Sequence, residues 1–507
     1  MKILSPDQQR ELDSYTIKNE PITSIALMER AAQTCVNWIQ KKFNSNYSYR
    51  IFCGLGNNGG DGLAIGRLLH IAGYNVKVDV LRYSDKTSLD FQCNYEKLKS
   101  IKGVICNEVN SIADFSSDDI DDKEVWVDAI FGSGLSRPVS GWLKEYISML
   151  NSKKVTIVSI DIPSGLFADK PLDLFSSTAI KADYTLSLQL PKLAFMLPEN
   201  FPYVGQWNVL PIGLNEKFIS EVDTPYIYLN EQLLKGILIS REKFSHKGKH
   251  GHALLIAGSF GMMGAAVLAA RACLRSGVGL LTSNIPSCGY EIFQSAVPES
   301  MAIADDEFDF LSNTIDCSSF NAIAIGPGIG TNEATGQFLK RLIQNSHVPL
   351  IFDADAINLL AQNKTWLSFI PKGSVLTPHP GEFKRLVGDY SDGYERISKQ
   401  RDFSVKYNVY LVCKGMHTTI TYPDGKCYFN STGNPGMATG GSGDVLTGII
   451  LGLASQGYPY GQACLVGVYL HGLSGDLAKD KHGEDSMVAG DIVEYLGSSF
   501  NILKNNT

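Results

Sequence analysis

The sequence predicts an α/β protein of two domains, each with a parallel sheet covered by helices on both faces. From residue 50 to about 215, short β-type runs alternate with amphipathic runs, the pattern of a parallel sheet. A second alternation of this kind begins near residue 250, and 215–235 has neither a Gly-rich loop nor a strong strand pattern. Since 507 residues are also too many for one ordinary core, we predict domains over 1–220 and 230–507.

In the first domain, residues 1–43 are expected to form helices, with Pro6 near the first helical N-terminus. Its strands are predicted in the runs RIFCG, VKVDVL, EVWVDAIFG, VTIVSIDIPSG and ADYTLSLQL. The strands of the second domain are predicted in HALLIAG, GLLTSNIP, AIAIGPG, PLIFDADAI, SVLTPHPGE and VYLVCKG. A hairpin turning at Asp424-Gly425 follows, and then two apolar helices that break around Pro459.

Composition limits the classes of function. Hydrophobic residues make up 44% and charged residues 19%, as in a globular protein, and the net charge of −7 gives no general attraction to nucleic acid or anionic membranes. There is no signal-peptide pattern at the start and no apolar run of membrane-spanning length. The ten cysteines form no C-x-x-C pair and no zinc pattern. We therefore expect a cytoplasmic protein with reduced thiols and without nucleic-acid or membrane partners.

The segment GLGNNGGDG, Gly54 to Gly62, contains the G-x-G-x-x-G pattern of a dinucleotide-binding loop. With Asp79 at the end of the next apolar segment, it favours an NAD-dependent dehydrogenase as one hypothesis. Asp61, however, would place a carboxylate at a helix N-terminus, where a pyrophosphate needs N–H donors. Together with Asn57 and Asn58 it offers oxygens suited to a cation or a sugar hydroxyl. Alternatively, the asparagines are turn formers and Asp61 caps the helix.

Two more acidic residues follow predicted strands. Asp128 in VDAIFGSGLSRP and Asp161 in IDIPSG each close a β-type run and open a loop. Because the carboxyl ends of parallel strands collect ligands, we expect these carboxylates and Asp61 to meet at one sheet edge. Each one alone would be read as a cap or a turn former.

The segments GLGNNGGDGLAIGR, VDAIFGSGLSRP, SIDIPSGL and GQWNVLPIGL together resemble the NAD(P)H-hydrate epimerase domain of the YjeF N-terminal type, over roughly 1–215. The resemblance implies a Rossmann-like three-layer sandwich that interconverts the two epimers of hydrated NADH or NADPH and binds K⁺. It implies potassium ligands at Asn58, Asp128 and Ser164. It implies substrate contacts at Asn57, Asn58, Gly59, Gly60, Asp61, Gly132, Ser133, Gly134, Leu135, Ser136, Arg137, Pro138 and Asp161.

Epimerisation requires that the hydroxyl leave and return, or that the ring open and close, and a nearby carboxylate could move the proton. We assign this role to Asp161, with Asp61 as the alternative. Lys192 in LQLPKLAF is either a phosphate contact, which we favour slightly, or a solvated loop lysine.

The segment GNPGMATGGSGDVLTGII predicts a second site in the second domain. Its glycines at 440, 441 and 443 would aim backbone N–H groups at a phosphoryl group from the start of an apolar helix. Asp444 at the edge of this nest can take the proton of an attacking hydroxyl. The alternative is a Gly-rich turn capped by Asp444.

Two more loops bear polar residues suited to a ligand. VCKGMHTTI puts Lys414 at a strand end, suited to a nucleotide phosphate, and TPHPGEF holds His379 between two prolines. The glycine loop GSFGMMG lacks the G-K-[ST] of a P-loop, which leaves other nucleotide-binding folds.

The segments KGKHGHALLIAGSFGMMGAAVLAARACLRSGVGL, AIGPGIG, DADAINLL, LTPHPGEF, VCKG and GNPGMATGGSGDVLTGI resemble the NAD(P)H-hydrate dehydratase domain of the ribokinase-like superfamily, over about 236–500. The resemblance implies a ribokinase-like α/β domain in which ADP or ATP, with Mg²⁺, phosphorylates the substrate hydroxyl; loss of phosphate then restores NAD(P)H. Asp444 would be the base. Nucleotide contacts are implied at Lys414, Gly415, Met416, His417, Thr418 and Gly443. Substrate contacts are implied at Ala266, Gly328, His379 and Asp444.

The two resemblances together predict a bifunctional repair enzyme for hydrated NAD(P)H, which we expect to be a homo-oligomer. Two further hypotheses stay open beside the dehydrogenase. One is a ribokinase-type kinase whose first half is regulatory, and the other is a first half with only a binding or scaffold role. A stable phosphorylated product would favour the kinase.

Overall fold

The computed structural model of the protein describes residues 1–115, 121, 123–172 and 177–505. The chain divides into two compact units. The first unit is Met1–Thr224 with Asp392–Tyr394, and the second is Pro225–Ser391 with Glu395–Thr507.

The first unit is built on a parallel sheet of order β3-β2-β1-β4-β5-β6-β7. Its strands are β1 Ser48–Cys53, β2 Val76–Leu81, β3 Ile105–Val109, β4 Glu124–Ala129, β5 Thr156–Ile160, β6 Tyr184–Leu188 and β7 Gln206–Leu210. Its helices are α1 Pro6–Asn19, α2 Ser24–Lys42, α3 Asn57–Ile71, α4 Leu89–Lys99, α5 Trp142–Asn151, α6 Phe201–Val204 and α7 Glu216–Glu221.

The two faces of this sheet carry separate apolar cores. On one face α2, α3 and α4 pack on the sheet through residues such as Ile39, Leu63 and Phe91. On the other face α5 packs through Tyr146 and Ile147. Helices on both sides of a parallel sheet make the predicted three-layer sandwich, so the fold class of the first unit is confirmed.

The second unit contains a sheet of order β11-β10-β9-β12-β13-β14-β15-β16-β17-β8, in which only the β15–β16 and β16–β17 pairs of the described strands are antiparallel. The strands are β8 Tyr226–Leu229, β9 His252–Ile256, β10 Leu280–Ile285, β11 Met301–Ala304, β12 Ala322–Ile325, β13 Leu350–Phe352, β14 Val375–Leu376, β15 Tyr410–Cys413, β16 Thr419–Thr421 and β17 Cys427–Asn430. The helices are α8 Glu231–Leu234, α9 Met263–Arg275, α10 Tyr290–Ala296, α11 Glu333–Asn345, α12 Ala354–Gln362, α13 Pro380–Val387, α14 Gly393–Tyr407, α15 Ser442–Ser455, α16 Tyr460–His482 and α17 Ala489–Asn505.

Helices cover both faces of this second sheet as well. One apolar core contains buried residues of α9, α15, α16 and α17, and the other contains residues of α11, α12 and α13. The predicted hairpin is confirmed, because β16 and β17 pair across a turn at Asp424-Gly425 in which Gly425 has φ +82°. The predicted break between two apolar helices is also confirmed, with Pro459 as the N-cap of α16. None of the described helices combines the length and the apolar character needed to cross a bilayer.

Two elements differ from the predictions. Strand β8 lies within 215–235, where no strong strand pattern was seen, because four residues are too few to establish an alternation. Helix α3 begins at Asn57, ahead of the N-terminus that the sequence placed at Asp61. A Cβ on Gly59 would lie 1.9 Å from the Gly54 carbonyl oxygen, and one on Gly62 would lie 2.6 Å from the Ala129 Cβ. These glycines therefore allow α3 to pack closely on the sheet.

Candidate functional site

The first unit contains a cavity of about 670 Å³ at the carboxyl ends of its strands, which we call the first cavity. Helices α1 and α2, the start of α3 and the loops after β4 and β5 line it. The predicted site residues that line it are Asn57, Asn58, Asp61, Gly132, Ser133, Gly134, Leu135, Ser136, Arg137 and Asp161. The expected meeting of loops at one sheet edge is thus observed for Asp61 and Asp161.

Three predicted contacts lie outside the lining of this cavity. Gly59 lies against the Gly54 backbone and Gly60 against Met28, so both serve the packing of α3. Pro138 is exposed at the end of the loop that follows β4.

Asp161 has an uncommon backbone conformation, and its carboxylate has two close partners. Its φ is +66°, a left-handed conformation that is uncommon outside glycine and that Asn and Asp adopt more readily than other residues. Its Oδ1 lies 2.8 Å from Lys192 Nζ, and its Oδ2 accepts a hydrogen bond from the Ser133 amide at 3.0 Å. Burial alone would raise the pKa of Asp161, but the Lys192 ammonium and the Ser133 donors hold it below its usual value. The carboxylate is therefore ionised and can accept a proton.

The environment of Lys192 decides against one of its two sequence interpretations. Its side chain is 3% exposed, which excludes a solvated loop lysine. Its ammonium also lies within hydrogen-bond distance of Ser187 Oγ and of the Leu190 carbonyl. The structure makes it the buried counter-ion of Asp161, and the slightly favoured phosphate contact stays a prediction.

Asp61 lies in the second turn of α3, so it lines the first cavity and does not cap the helix. Burial, and then the negative charges of Asp161, Asp13 and Asp90, raise its pKa well above the usual value. Asp13 of α1 lines the same cavity, and burial together with Asp161 raises its pKa to about 6. The first cavity thus holds the ionised carboxylate of Asp161 beside two carboxyl groups, those of Asp61 and Asp13, that keep a proton more readily.

Asp128 and Ser164 form a buried cluster behind the cavity. Asp128 accepts hydrogen bonds from the Ser164 hydroxyl at 2.5 Å, the Ser164 amide at 2.8 Å and the Ser159 hydroxyl at 2.7 Å. Burial raises the pKa of Asp128 although these groups donate to its carboxylate. The Asn58 side chain is 8% exposed, and neither its oxygen nor its nitrogen has a hydrogen-bond partner among the described residues. Such an orphaned buried amide is where a bound ion or ligand is expected.

Asp79 is not available to a ribose. It lies inside β2, fully buried, where its Oδ2 accepts from Arg50 Nε at 2.7 Å and its Oδ1 from Asn107 Nδ2 at 2.9 Å. The dehydrogenase hypothesis depended on this carboxylate, so the structure counts against it.

A second site lies at the N-terminus of α15. Gly441 is the N-cap with φ +89°, and Asp444 lies in the first turn. Burial, and then the charge of Asp353, raise the pKa of Asp444 to about 7, although Lys414 acts in the opposite direction. A general base with a pKa near neutrality is well matched to proton abstraction at physiological pH.

Lys414 and Gly443 lie together at this second site. A Cβ on Gly443 would lie 3.1 Å from Lys414 Nζ, so any larger residue here would press on the ammonium. Lys414 Nζ donates to Asp353 Oδ1 at 2.8 Å. Burial lowers the pKa of Lys414, but Asp353 and Glu382 outweigh it, so the pKa is raised and the group stays charged.

The other predicted nucleotide contacts form the turn between β15 and β16. Gly415 and Met416 are exposed, and Thr418 Oγ1 bonds back to the Gly415 backbone. The His417 ring turns inward, with Nδ1 3.1 Å from the Asn430 carbonyl oxygen. The turn therefore offers backbone groups to a ligand more readily than it offers the His417 ring.

The predicted substrate contacts of the second unit lie on three segments. Gly328 has φ +63°, and a Cβ there would lie 3.3 Å from the Ala265 Cβ. Ala265 is partly exposed whereas Ala266 is fully buried, so the geometry favours a register one residue earlier than predicted. His379 is exposed, but its Nδ1 accepts from the Gly381 amide at 3.0 Å and so caps α13. Its Nε2 lies 3.4 Å from Glu382 Oε1, so a ligand at this edge would meet both side chains.

Sequence reasoning missed functional candidates in both units. Asp13 is one acidic residue on an amphipathic helix, and nothing local distinguishes it from a solvated one. Asp353 follows β13 as Asp161 follows β5, so the rule of acidic residues at strand ends could have found it in DADAINLL. Thr447, whose hydroxyl donates to Asp353 Oδ2 at 2.7 Å, is a single polar residue inside an apolar helix, and no sequence pattern distinguishes it.

Comparison with known proteins gives matches to both units. The family model for NAD(P)H-hydrate dehydratase matches residues 253–497, and that for the YjeF-related protein N-terminus matches 24–194. The chain is 36% identical to the bifunctional NAD(P)H-hydrate repair enzyme Nnr of Moorella thermoacetica, over 98% of this chain and 96% of that one. It is 33% identical to the protein of the same name from Thermofilum pendens, over 100% and 97%.

Among solved structures, the chain is similar to a ribokinase-like superfamily protein from Enterococcus faecalis. The identity is 28% and the TM-score 0.50, over 56% of this chain and 98% of that one. The ribokinase-like fold predicted for the second half is thereby confirmed.

Proposed function

This chain belongs to the family of bifunctional NAD(P)H-hydrate repair enzymes, and from this premise we propose that it epimerises hydrated NADH and NADPH and dehydrates the S epimer. Epimerisation takes place in the first cavity, and dehydration takes place at the second site with ADP or ATP as phosphoryl donor. The observation that carries the proposal is that each of the two matched stretches has a charged site of its own at the carboxyl ends of its strands.

In the first cavity, Asp161 accepts and returns a proton at the substrate hydroxyl. Its pairing with Lys192 keeps it ionised, and the Ser133 amide fixes the carboxylate plane. Asp61, whose raised pKa favours the protonated form, supplies a proton on the other side of the exchange. Two carboxyl groups with opposite shifts are what a reversible proton exchange requires.

A potassium ion fits beside this cavity. Asn58, Asp128 and Ser164 supply amide, carboxylate and hydroxyl oxygens, and the unpartnered Asn58 amide supports the fit. When bound, the ion supplies positive charge that attracts the oxygens of the substrate. Asp128 would then exchange some of its hydrogen bonds with Ser164 for contact with the ion.

At the second site, Asp444 takes the proton from the substrate hydroxyl while the hydroxyl oxygen attacks the terminal phosphorus of the nucleotide. The bond to the next phosphate breaks, and the nucleotide leaves with one phosphoryl group fewer. Lys414 and the backbone N–H groups at the start of α15 stabilise the transferring charge. Phosphate then departs with a proton from the adjacent ring carbon, which restores the ring double bond. Substrate contacts at Gly328, Ala265 and His379 complete this proposal.

Among the residues that the structure describes, no group of three or more His, Cys, Asp or Glu side chains is arranged to hold a metal ion. Mg²⁺ commonly binds through substrate phosphates with few protein ligands. In this proposal the ion would therefore arrive with the phosphates of the nucleotide.

The reaction class is tested by incubating the protein with hydrated NADH and either ADP or ATP in separate tubes. We expect the nicotinamide absorbance to return with release of inorganic phosphate. Accumulation of a stable phosphorylated product would instead identify a kinase. No reaction with either nucleotide would refute the proposal for the second unit.

The assignment of the two bases is tested by two matched variants. Asp444→Asn should abolish nucleotide-dependent dehydration and leave epimerisation intact, because Asn cannot accept the proton. Asp161→Asn should have the converse effect, and Asn tolerates the left-handed conformation of this position. Unchanged dehydration in the first variant, or undiminished R-to-S conversion in the second, would remove that residue from its role.

We also propose that the protein is cytoplasmic and forms a homo-oligomer. The absence of disulfides among the ten cysteines supports a reducing compartment. Cell fractionation and light scattering of the purified chain would test the two statements.

A further inference from the structure

The carboxylate of Asp353 joins two parts of the second site that are far apart in the sequence. Its Oδ1 accepts a hydrogen bond from Lys414 Nζ at 2.8 Å, and its Oδ2 accepts one from Thr447 Oγ1 at 2.7 Å. Lys414 directly follows β15, whereas Thr447 lies on α15 three residues after Asp444. Residues three apart on a helix share one face. Asp353 therefore links the ammonium group to the face of α15 that carries the base.

The position of Asp353 is itself fixed. The side chain is 1% exposed, and the backbone amide donates to the Ile325 carbonyl at 3.1 Å. A Cβ on Gly326 would lie 1.8 Å from the Asp353 carbonyl oxygen, so the loop after β12 presses directly on this residue. A buried carboxylate with both oxygens occupied and its backbone held has little freedom to move.

We propose that Asp353 is a positioning residue for phosphoryl transfer. It directs Lys414 towards the terminal phosphates of a nucleoside di- or triphosphate and fixes the position of the ammonium relative to Asp444. The inference rests on the proposed function of the second unit. An ammonium has three donors, so Lys414 can keep its bond to Asp353 while it donates to phosphate oxygens. The Thr447 bond keeps α15 at a constant distance from that ammonium.

The same arrangement has an electrostatic consequence for Asp444. The charged groups that face Asp444 come from four elements: Asp353 after β13, Asp355 on α12, Glu382 on α13 and Lys414 after β15. After burial, Asp353 is the largest influence that raises the pKa of Asp444. Neutralising Asp353 removes that influence and leaves the Lys414 charge uncompensated, and both changes lower the pKa of Asp444. The pH dependence of turnover thus reports on this residue in a way that folding alone would not.

The test uses the full chain with Asp353→Asn, and measures dehydration of hydrated NADH with ADP and with ATP. We expect the KM for nucleotide to rise about tenfold or more, because the hydrogen bond that positions the Lys414 ammonium loses its charged acceptor. We also expect the acid limb of the kcat profile to move to lower pH. The matched control is Asp305→Asn, another buried aspartate of this unit, which accepts from the Ser312 and Asn313 amides. A nucleotide KM within about twofold of the wild type, or an unmoved acid limb, would overturn the proposal.

If Asp353→Asn does not fold, Thr447→Val is the second test, because valine is β-branched like threonine and removes only the hydroxyl at this fully buried position. This variant keeps the Lys414 pair, so we expect a lower kcat with an unchanged KM for nucleotide. An unchanged kcat would overturn the proposal. Calorimetric titration with ADP adds a readout that does not depend on turnover. A wild-type chain that shows no nucleotide-dependent dehydration would refute the proposed function, whereas an active wild type with unaffected variants refutes only the role of Asp353.

Discussion

At the residue scale, the two proposed bases have pKa shifts of opposite direction. Burial and Asp353 raise the pKa of Asp444 to about 7, whereas Lys192 and Ser133 overcome burial at Asp161 and lower its pKa. A base must be deprotonated to act. We therefore expect kcat for dehydration to fall about tenfold per pH unit below neutrality. The rate of epimerisation should fall only at a lower pH, at which Asp161 becomes protonated. Both rates can be measured from pH 5 to 8 in the same samples, and coincident acid limbs would contradict the assignment.

The raised pKa of Asp444 also predicts a cost in stability. The folded-state value of about 7 lies above the ordinary value of 3.8, so the fold favours the neutral carboxyl. The protonated carboxyl adds its full stability to the folded state below a pH of 3.8, and this stability is lost as the pH rises through about 7. Asp444→Asn should therefore stabilise the second unit at pH 8 by about 1–3 kcal/mol, after partial solvent screening is allowed for, and have little effect at pH 4.

Urea unfolding at the two pH values measures this difference. The control is Asp480→Asn, which changes an exposed residue of α16 and should alter the free energy of unfolding equally at both pH values. Equal stability of Asp444→Asn and wild type at pH 8 would mean that the carboxylate is not strained by burial.

At the scale of elements, α15 depends on close packing against α9. A Cβ on Gly448 would lie 2.1 Å from the Ala269 carbonyl oxygen and 2.9 Å from the Ala272 Cβ. Because backbone cannot give way as a flexible side chain does, Gly448→Ala should destabilise the second unit by about 1–3 kcal/mol and displace the start of α15. Thermal unfolding of the second unit and the rate of dehydration are the measurements.

The matched control for this change lies on α17. Gly497 is an exposed helical glycine with open space around its Cβ position. Gly497→Ala should stabilise the protein by about 0.5–1 kcal/mol, because alanine loses less backbone entropy in a helix. If the two variants had the same effect, packing on α9 would not be what requires glycine at 448.

At the scale of the whole molecule, the sequence predicted what depends on local pattern. The parallel strands, the helices that cover them, the hairpin at Asp424-Gly425 and the acidic strand ends were all visible in residue order. The partners of the functional groups were not, because Lys414 meets Asp353 across 61 positions of sequence. Such pairs depend on how loops from different strands approach each other, which no periodicity encodes.

The extent of the second folding unit is a prediction that can be tested directly. Strand β8 pairs with β17 over Cys427↔Tyr226 to Asn430↔Leu229, and Leu229 is fully buried in the core. A fragment 225–507 keeps this strand, whereas a fragment 230–507 loses it and leaves β17 as an unpaired edge.

We expect the fragment 225–507 to fold and to dehydrate the S epimer with ADP or ATP. The fragment 230–507 should unfold at a lower temperature and aggregate more readily, because the loss of β8 exposes apolar residues of the core. Circular dichroism melts and light scattering of the two fragments measure the difference. Equal melting temperatures would mean that β8 contributes nothing to this unit and that the predicted start at residue 230 is adequate. A fragment 225–507 that folds but lacks the activity would contradict the proposal that this unit dehydrates by itself.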